Sequence, residues 1–180
     1  MTVIVGAVVG STVYLAGDSF CGDENVSDLC LDPKVEKISN RMGIGVAGDI
    51  RTEILVKKTL ISLFTAKNRI TKKYITSELP LKLHEKLKDS QIFLNGKVEA
   101  EYLLAHSGHI YYVDDSLAVW ESQRPYVAIG AAKQIATGSL AYAHFSGLLE
   151  KDPELALKTV LDICCEHSPW VRPPYTFLKI

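Results

Sequence analysis

The chain has 180 residues, 47% hydrophobic and 23% charged, with 20 Lys+Arg against 21 Asp+Glu for a formal net charge of -1. That length fits one folded unit able to bury a sizeable core without a metal or disulfide staple, and the composition excludes disordered and collagen-like chains. The balanced charge offers neither a broad basic field nor an aromatic-basic ribbon, so nucleic acid is not an expected partner.

In chain order, Val3 to Val9 and Thr12 to Leu15 are rich in β-branched residues and are joined by Gly10-Ser11, which predicts an opening hairpin. The apolar start lacks a preceding basic residue and a small-x-small cleavage site, so it does not read as a secretion signal. Nowhere do about 18 apolar residues run together, as a membrane-spanning helix requires. The expected compartment is the cytoplasm. Asp18 to Asp32 reads as a polar, acidic loop. Val35 to Ile38 and Met42 to Val46 predict a second hairpin around Ser39-Asn40-Arg41, with Gly43, Gly45 and Gly48 implying close backbone approach.

From Asp49 the period becomes helical, with Ile50, Ile54, Ile61 and Phe64 on one face, Leu60 at its edge and a stop near Asn68. Thr76 to Lys88 gives a second helix with Pro80 near its start. A meander follows: Gln91 to Leu94, the Asn95-Gly96 turn, Glu101 to Ala105, Ser107-Gly108, and Ile110 to Val113. Tyr126 to Ile129 reads as a buried strand and Ala131 to Leu149 as a helix. Asp152 then caps a last helix with Pro153 at its first position, running to about Glu166, before a strand over Tyr175 to Ile180. No repeat or linker interrupts the order, which predicts a single domain over residues 1–180. Two helix pairs outside two strand blocks give an α+β, four-layer αββα sandwich of two antiparallel sheets covered by helices, with the start of the chain inside a central sheet.

Thr2 is small enough to permit removal of Met1, which would leave an N-terminal threonine. Such a residue carries both a nucleophilic hydroxyl and an α-amine titrating at about 7.7 to 8.0, close enough to neutrality to take the hydroxyl proton. The segments Thr2-Val3-Ile4-Val5-Gly6, Ala16-Gly17-Asp18-Ser19, Pro33-Lys34-Val35-Glu36-Lys37-Ile38, Gly45-Val46-Ala47-Gly48-Asp49 and Ala128-Ile129-Gly130 resemble the proteasome β-subunit and bacterial HslV peptidases, which are N-terminal-nucleophile hydrolases. The resemblance covers nearly the whole chain.

The resemblance implies Thr2 as nucleophile, Asp18 as the carboxylate supporting Lys34, Lys34 as the cation beside the Thr2 hydroxyl, and Gly48 as an oxyanion-hole N–H. It implies extended substrate pairing near Gly22, Gly48 and Ile50, with Val46 lining an apolar side-chain pocket. Glu166 and Ser168 fall near the positions of a further carboxylate and serine. One departure stands out: the family usually has serine after the Ile-Gly of its later segment, and this chain reads Gly130-Ala131-Ala132. A hydroxyl that helps orient the α-amine is missing.

The expected activity is therefore a threonine endopeptidase acting on unfolded protein or peptide inside a homo-oligomeric ring, with an ATP-dependent unfoldase as a further partner. The alternatives are a non-catalytic ring subunit and a small-amide hydrolase of the same fold. No cofactor is expected. His106 and His109 flank a turn and read as surface residues rather than a metal pair, and Cys21, Cys30, Cys164 and Cys165 as reduced thiols in no metal-ligand spacing. Cys21 reads as a cleft-wall residue, Cys164-Cys165 as packing, and Lys67 to Lys73 as a solvated helix end.

Overall fold

Residues 2–22, 25, 27–66 and 69–180 are described by a computed structural model of the protein. The opening hairpin forms as its pattern predicts: β1 (Val3–Val9) pairs antiparallel with β2 (Thr12–Gly17) around Gly10 at φ 62°. The expected loop after it contains a short hairpin instead, β3 (Phe20–Gly22) against β4 (Ser27–Leu29). Its second strand is exposed throughout and so carries no alternating apolar signal. The second predicted hairpin is β5 (Val35–Ser39) with β6 (Met42–Gly48).

Helix α1 (Ile50–Thr65) begins where Asp49 accepts a bond from the Thr52 N–H at 3.0 Å. Its buried face differs from the predicted one. Thr52, Val56, Leu60, Leu63 and Phe64 point inward, whereas Ile50 and Ile54 are 49% and 47% exposed. The expected end near Asn68 lies outside the described residues, as do Lys67 and Met1. A π-helical turn (Tyr74–Glu78) leads into α2 (Leu79–Leu87).

The meander comprises the two-residue strands β7 (Phe93–Leu94) and β8 (Lys97–Val98), then β9 (Ala100–His106), β10 (His109–Val113) and an unpredicted edge strand, β11 (Val119–Glu121). Strand β12 (Tyr126–Gly130) precedes α3 (Lys133–Phe145), α4 (Leu148–Lys151), α5 (Pro153–His167) and β13 (Thr176–Lys179). The Asp152 side chain caps α5 through the Leu155 N–H at 3.0 Å, with Pro153 at the start.

The main strands make two sheets, ordered β12-β1-β2-β13 and β11-β10-β9-β6-β5. Alternation along β1 sends Val3, Val5 and Ala7 into a cluster with α3 and α5, while Ile4 faces the other sheet. Beyond the five-stranded sheet, Met42, Ile44 and Val46 pack with Val56, Leu60 and Leu83 of α1 and α2. The result is the four-layer αββα sandwich. Gly45 permits the sheets to meet closely here, since a Cβ there would stand 2.6 Å from Ile4 Cγ2. Among the described residues no helix is long and apolar enough to cross a membrane.

Candidate active site

Thr2 sits at the mouth of β1, 3% exposed, where the two sheets part. Asp18 lies just beyond β2 and Lys34 just before β5, so the sheets themselves carry these residues together from positions 16 and 32 places along the chain. Asp18 and Lys34 are 1% and 6% exposed.

The Thr2 hydroxyl donates to Asp18 Oδ1 and accepts from Lys34 Nζ at 2.5 Å. Lys34 Nζ also reaches Asp18 Oδ1 at 3.2 Å and donates to the Phe20 carbonyl oxygen. Asp18 is itself held by the N–H groups of Val3 at 3.0 Å, Phe20 at 2.9 Å and Arg172 at 3.3 Å. A buried ion pair is tolerated only when its remaining bonding capacity is filled in this manner. The charge on Lys34 thus stands against the Thr2 hydroxyl oxygen, where it can stabilise negative charge, and Asp18 bonds to both.

Gly48 ends β6 beside this cluster and lines the same cleft. The Val46 N–H donates to the Lys34 carbonyl oxygen at 3.1 Å and the Asp49 N–H turns the other way, to Glu99 oxygen at 2.9 Å. Strand alternation therefore turns the Gly48 N–H to the Lys34 side, where β5 has ended.

The cleft has a volume of about 1130 Å³ and is walled in part by Gly22, Ile50, Cys21 and Cys30. Val46 does not line it: its side chain is fully buried in the core beneath α1. Alternation along β6 puts Val46 on the helix-facing side, already filled by Val56 and Leu60, so the expected apolar pocket built on it is corrected. The carboxylates of Asp28, Asp49, Glu53, Glu99, Glu101 and Asp115 line the cleft against the lysines Lys34 and Lys97. Burial pushes the Glu53 carboxyl above its ordinary value, more than Lys57 and Lys34 draw it down. Burial, then a bond with Cys21, raises the Cys30 thiol to about 11, so it is a poor thiolate.

Glu166 is exposed on α5, and the buried Ser168 hydroxyl accepts from the Trp170 N–H at 3.3 Å. The segment after α5 supports Asp18 through its backbone. The Arg172 N–H reaches Asp18 Oδ2, and Ser19 is tied to Arg172 and Pro174. Backbone donors carry no residue signature, so nothing in the order of residues marks them. Cys164 is buried and raised to about 12, first by burial and then by the Asp18 charge, consistent with packing. His109 stands 2.5 Å from Glu121 on the surface, and His106 faces the Arg41 carbonyl at 3.2 Å.

Glu101 was not singled out from the sequence. Its Oε2 accepts the Gly130 N–H at 3.0 Å, and its Oε1 accepts from Tyr112 and, at 2.5 Å, from Lys133. Burial pushes this carboxyl up, but the bonds from Lys133, Tyr112 and Gly130 together outweigh it and hold it below its ordinary value. Beside it, the Ala131 N–H donates to the Thr2 carbonyl oxygen at 2.8 Å.

Two antiparallel sheets between helix layers, with Thr2 at the mouth of a central strand, make a fold that solved structures share. Thiobacillus denitrificans BPH in complex with epoxomicin shares it at a TM-score of 0.80 and 14% identity, over 99% of this chain and 98% of that one. Eukaryotic HslV from Trypanosoma brucei shares it at 0.75 and 17% identity, over 99% and 98%. A second structure of Thiobacillus denitrificans BPH does so at 0.77 and 13% identity, over 99% and 97%. No family model matches the chain, and no curated protein matches it.

Proposed function

We propose that this chain is a threonine-type endopeptidase that cleaves peptide bonds through an ester on Thr2 once Met1 has been removed. The observation that carries the reading is the Lys34 ammonium, 2.5 Å from the Thr2 hydroxyl oxygen and matched by Asp18. In this mechanism the freed α-amine takes the hydroxyl proton, directly or through water, and the Lys34 charge stabilises the alkoxide. Oγ1 attacks the substrate carbonyl carbon, and the resulting oxyanion accepts the Gly48 N–H, a contribution of about 2.7 to 4 kcal/mol for one such donor. Collapse breaks the C–N bond and the leaving amine receives the proton from the α-ammonium. Water, deprotonated by the same amine, then hydrolyses the ester and restores Thr2.

Substrate enters as an extended strand near Gly22, Gly48 and Ile50. The acidic lining favours Lys- or Arg-bearing stretches over acidic ones. The working form is a cytoplasmic homo-oligomeric ring that confines the sites and receives unfolded protein, with an ATP-dependent unfoldase as its partner. Tyr142 and Phe145, 74% and 83% exposed on α3, support contact with a second copy. Light scattering that finds only monomer at every concentration overturns the assembly.

Epoxomicin, held by the BPH relative, is the probe for the chemistry. Protein with Met1 removed should gain the inhibitor's mass on Thr2 and hydrolyse unfolded protein, and Thr2→Ala should do neither. Activity that survives Thr2→Ala, or wild type that does not label, rejects the reading. The second reading, a non-catalytic ring subunit, rests on Ala131, which has no hydroxyl to orient the amine. Retention of Met1 throughout protein from the native host would favour it.

A further inference from the structure

We infer that Glu101 is a positioning residue that aligns the nucleophile with the oxyanion donor, in place of the hydroxyl that Ala131 lacks. The inference rests on the peptidase reading of Thr2 and extends it. Glu101 belongs to β9, where it stands opposite Ala47, the residue before Gly48. Its carboxylate crosses to the other sheet and takes the Gly130 N–H at 3.0 Å. Gly130 pairs with Val3, and the next N–H, that of Ala131, holds the Thr2 carbonyl oxygen at 2.8 Å. One side chain thus joins the strand bordering Gly48 to the turn that grips Thr2.

The arrangement is built rather than incidental. Tyr112 and Lys133 both donate to Oε1, leaving Oε2 for Gly130, so the carboxylate is held from both sides. Gly130 adopts φ +93°, and a Cβ there would collide with the Thr2 carbonyl oxygen, so this turn lies directly against the nucleophilic residue. Displacing reacting groups by about 1 Å is enough to cost on the order of 100-fold in rate.

The test compares wild type, Glu101→Ala, Glu101→Gln and Tyr112→Phe, with Met1 removed, for the rate of epoxomicin attachment to Thr2 and for kcat and KM on a peptide. Glu101→Ala should lower labelling and kcat at least about tenfold with KM within about threefold, the pattern of lost alignment rather than lost substrate binding. Glu101→Gln keeps an oxygen for the Gly130 N–H and should restore labelling to within about threefold of wild type. Wild type that labels while Glu101→Ala labels equally fast overturns this inference alone, as does an equal loss in the Ala and Gln variants. Wild type that does not label overturns the inference together with the peptidase reading. If Glu101→Ala does not fold, Tyr112→Phe decides: slower labelling is expected, and an unchanged rate overturns the role.

Discussion

The Lys34 ammonium stands 2.5 Å from the Thr2 hydroxyl oxygen, although 32 positions separate the two residues in the chain. Since Lys34 also pairs with the fully buried Asp18 side chain, the contact would join catalysis to stability on the proposed mechanism. Lys34→Ala should abolish epoxomicin labelling and cost about 3 to 5 kcal/mol, because it leaves a buried carboxylate unpaired. Lys34→Arg is the sharper variant: it keeps the charge on a larger planar group, so folding should largely survive while labelling falls. Chemical denaturation and intact mass read the two effects separately, and unchanged turnover in Lys34→Arg would move the catalytic cation elsewhere, with Lys37 the first substitute to examine.

Gly130→Ala should be costly although only a methyl group is added. The backbone at φ +93° is unfavourable for an L-residue, by about 1 to 3 kcal/mol, and the new Cβ would press on the Thr2 carbonyl oxygen. The expected result is a lower melting temperature together with slower labelling. A variant with wild-type labelling would show that this turn does not govern Thr2.

Ala131→Ser places a hydroxyl next to the same turn at an exposed position. Stability should stay within about 0.5 kcal/mol. If a hydroxyl there helps to orient the amine, labelling should accelerate, and a rate equal to wild type would mean that the Glu101 arrangement already supplies the alignment.

Much of this site was legible because its residues recur in compact segments. Thr2, Asp18, Lys34 and Gly48 all border the cleft or the buried ion pair. Periodicity points to a different face of α1 because two apolar stripes overlap on it. Ile50 borders the cleft while Val56, Leu60 and Leu63 enter the core, and periodicity alone cannot rank the stripes. The edge strand Val119–Glu121 has three residues, too few for a period. Glu101 was invisible for another reason: it looks like any polar residue in a strand until β12 is brought across from the other sheet.

Glu53 gives a pH signature. Its carboxyl is raised in the folded protein, chiefly by burial, so the folded state holds a proton more tightly than the unfolded one. Stability must then fall as the pH climbs from the ordinary glutamate value through the raised folded value, and the penalty is fully present above the latter. Glu53→Gln should melt at a higher temperature than wild type at neutral pH, and the gap should close as the pH drops below the ordinary value. Glu101 works in the opposite sense, adding stability that is lost as the pH falls through its lowered value. Melting curves across pH in which the Glu53→Gln gap stays constant would remove the argument.

The Arg172 N–H that completes Asp18 comes from 154 residues away, and the N–H that holds the Thr2 carbonyl comes from Ala131. Contacts that close loops of such length form slowly. While the chain is being synthesised, the opening hairpin can therefore pair long before the groups that orient its first residue have emerged. On the proposed peptidase reading, Thr2 would gain its full set of partners only once Ala131 and Arg172 have emerged and docked, so that cleavage would wait for a completed fold.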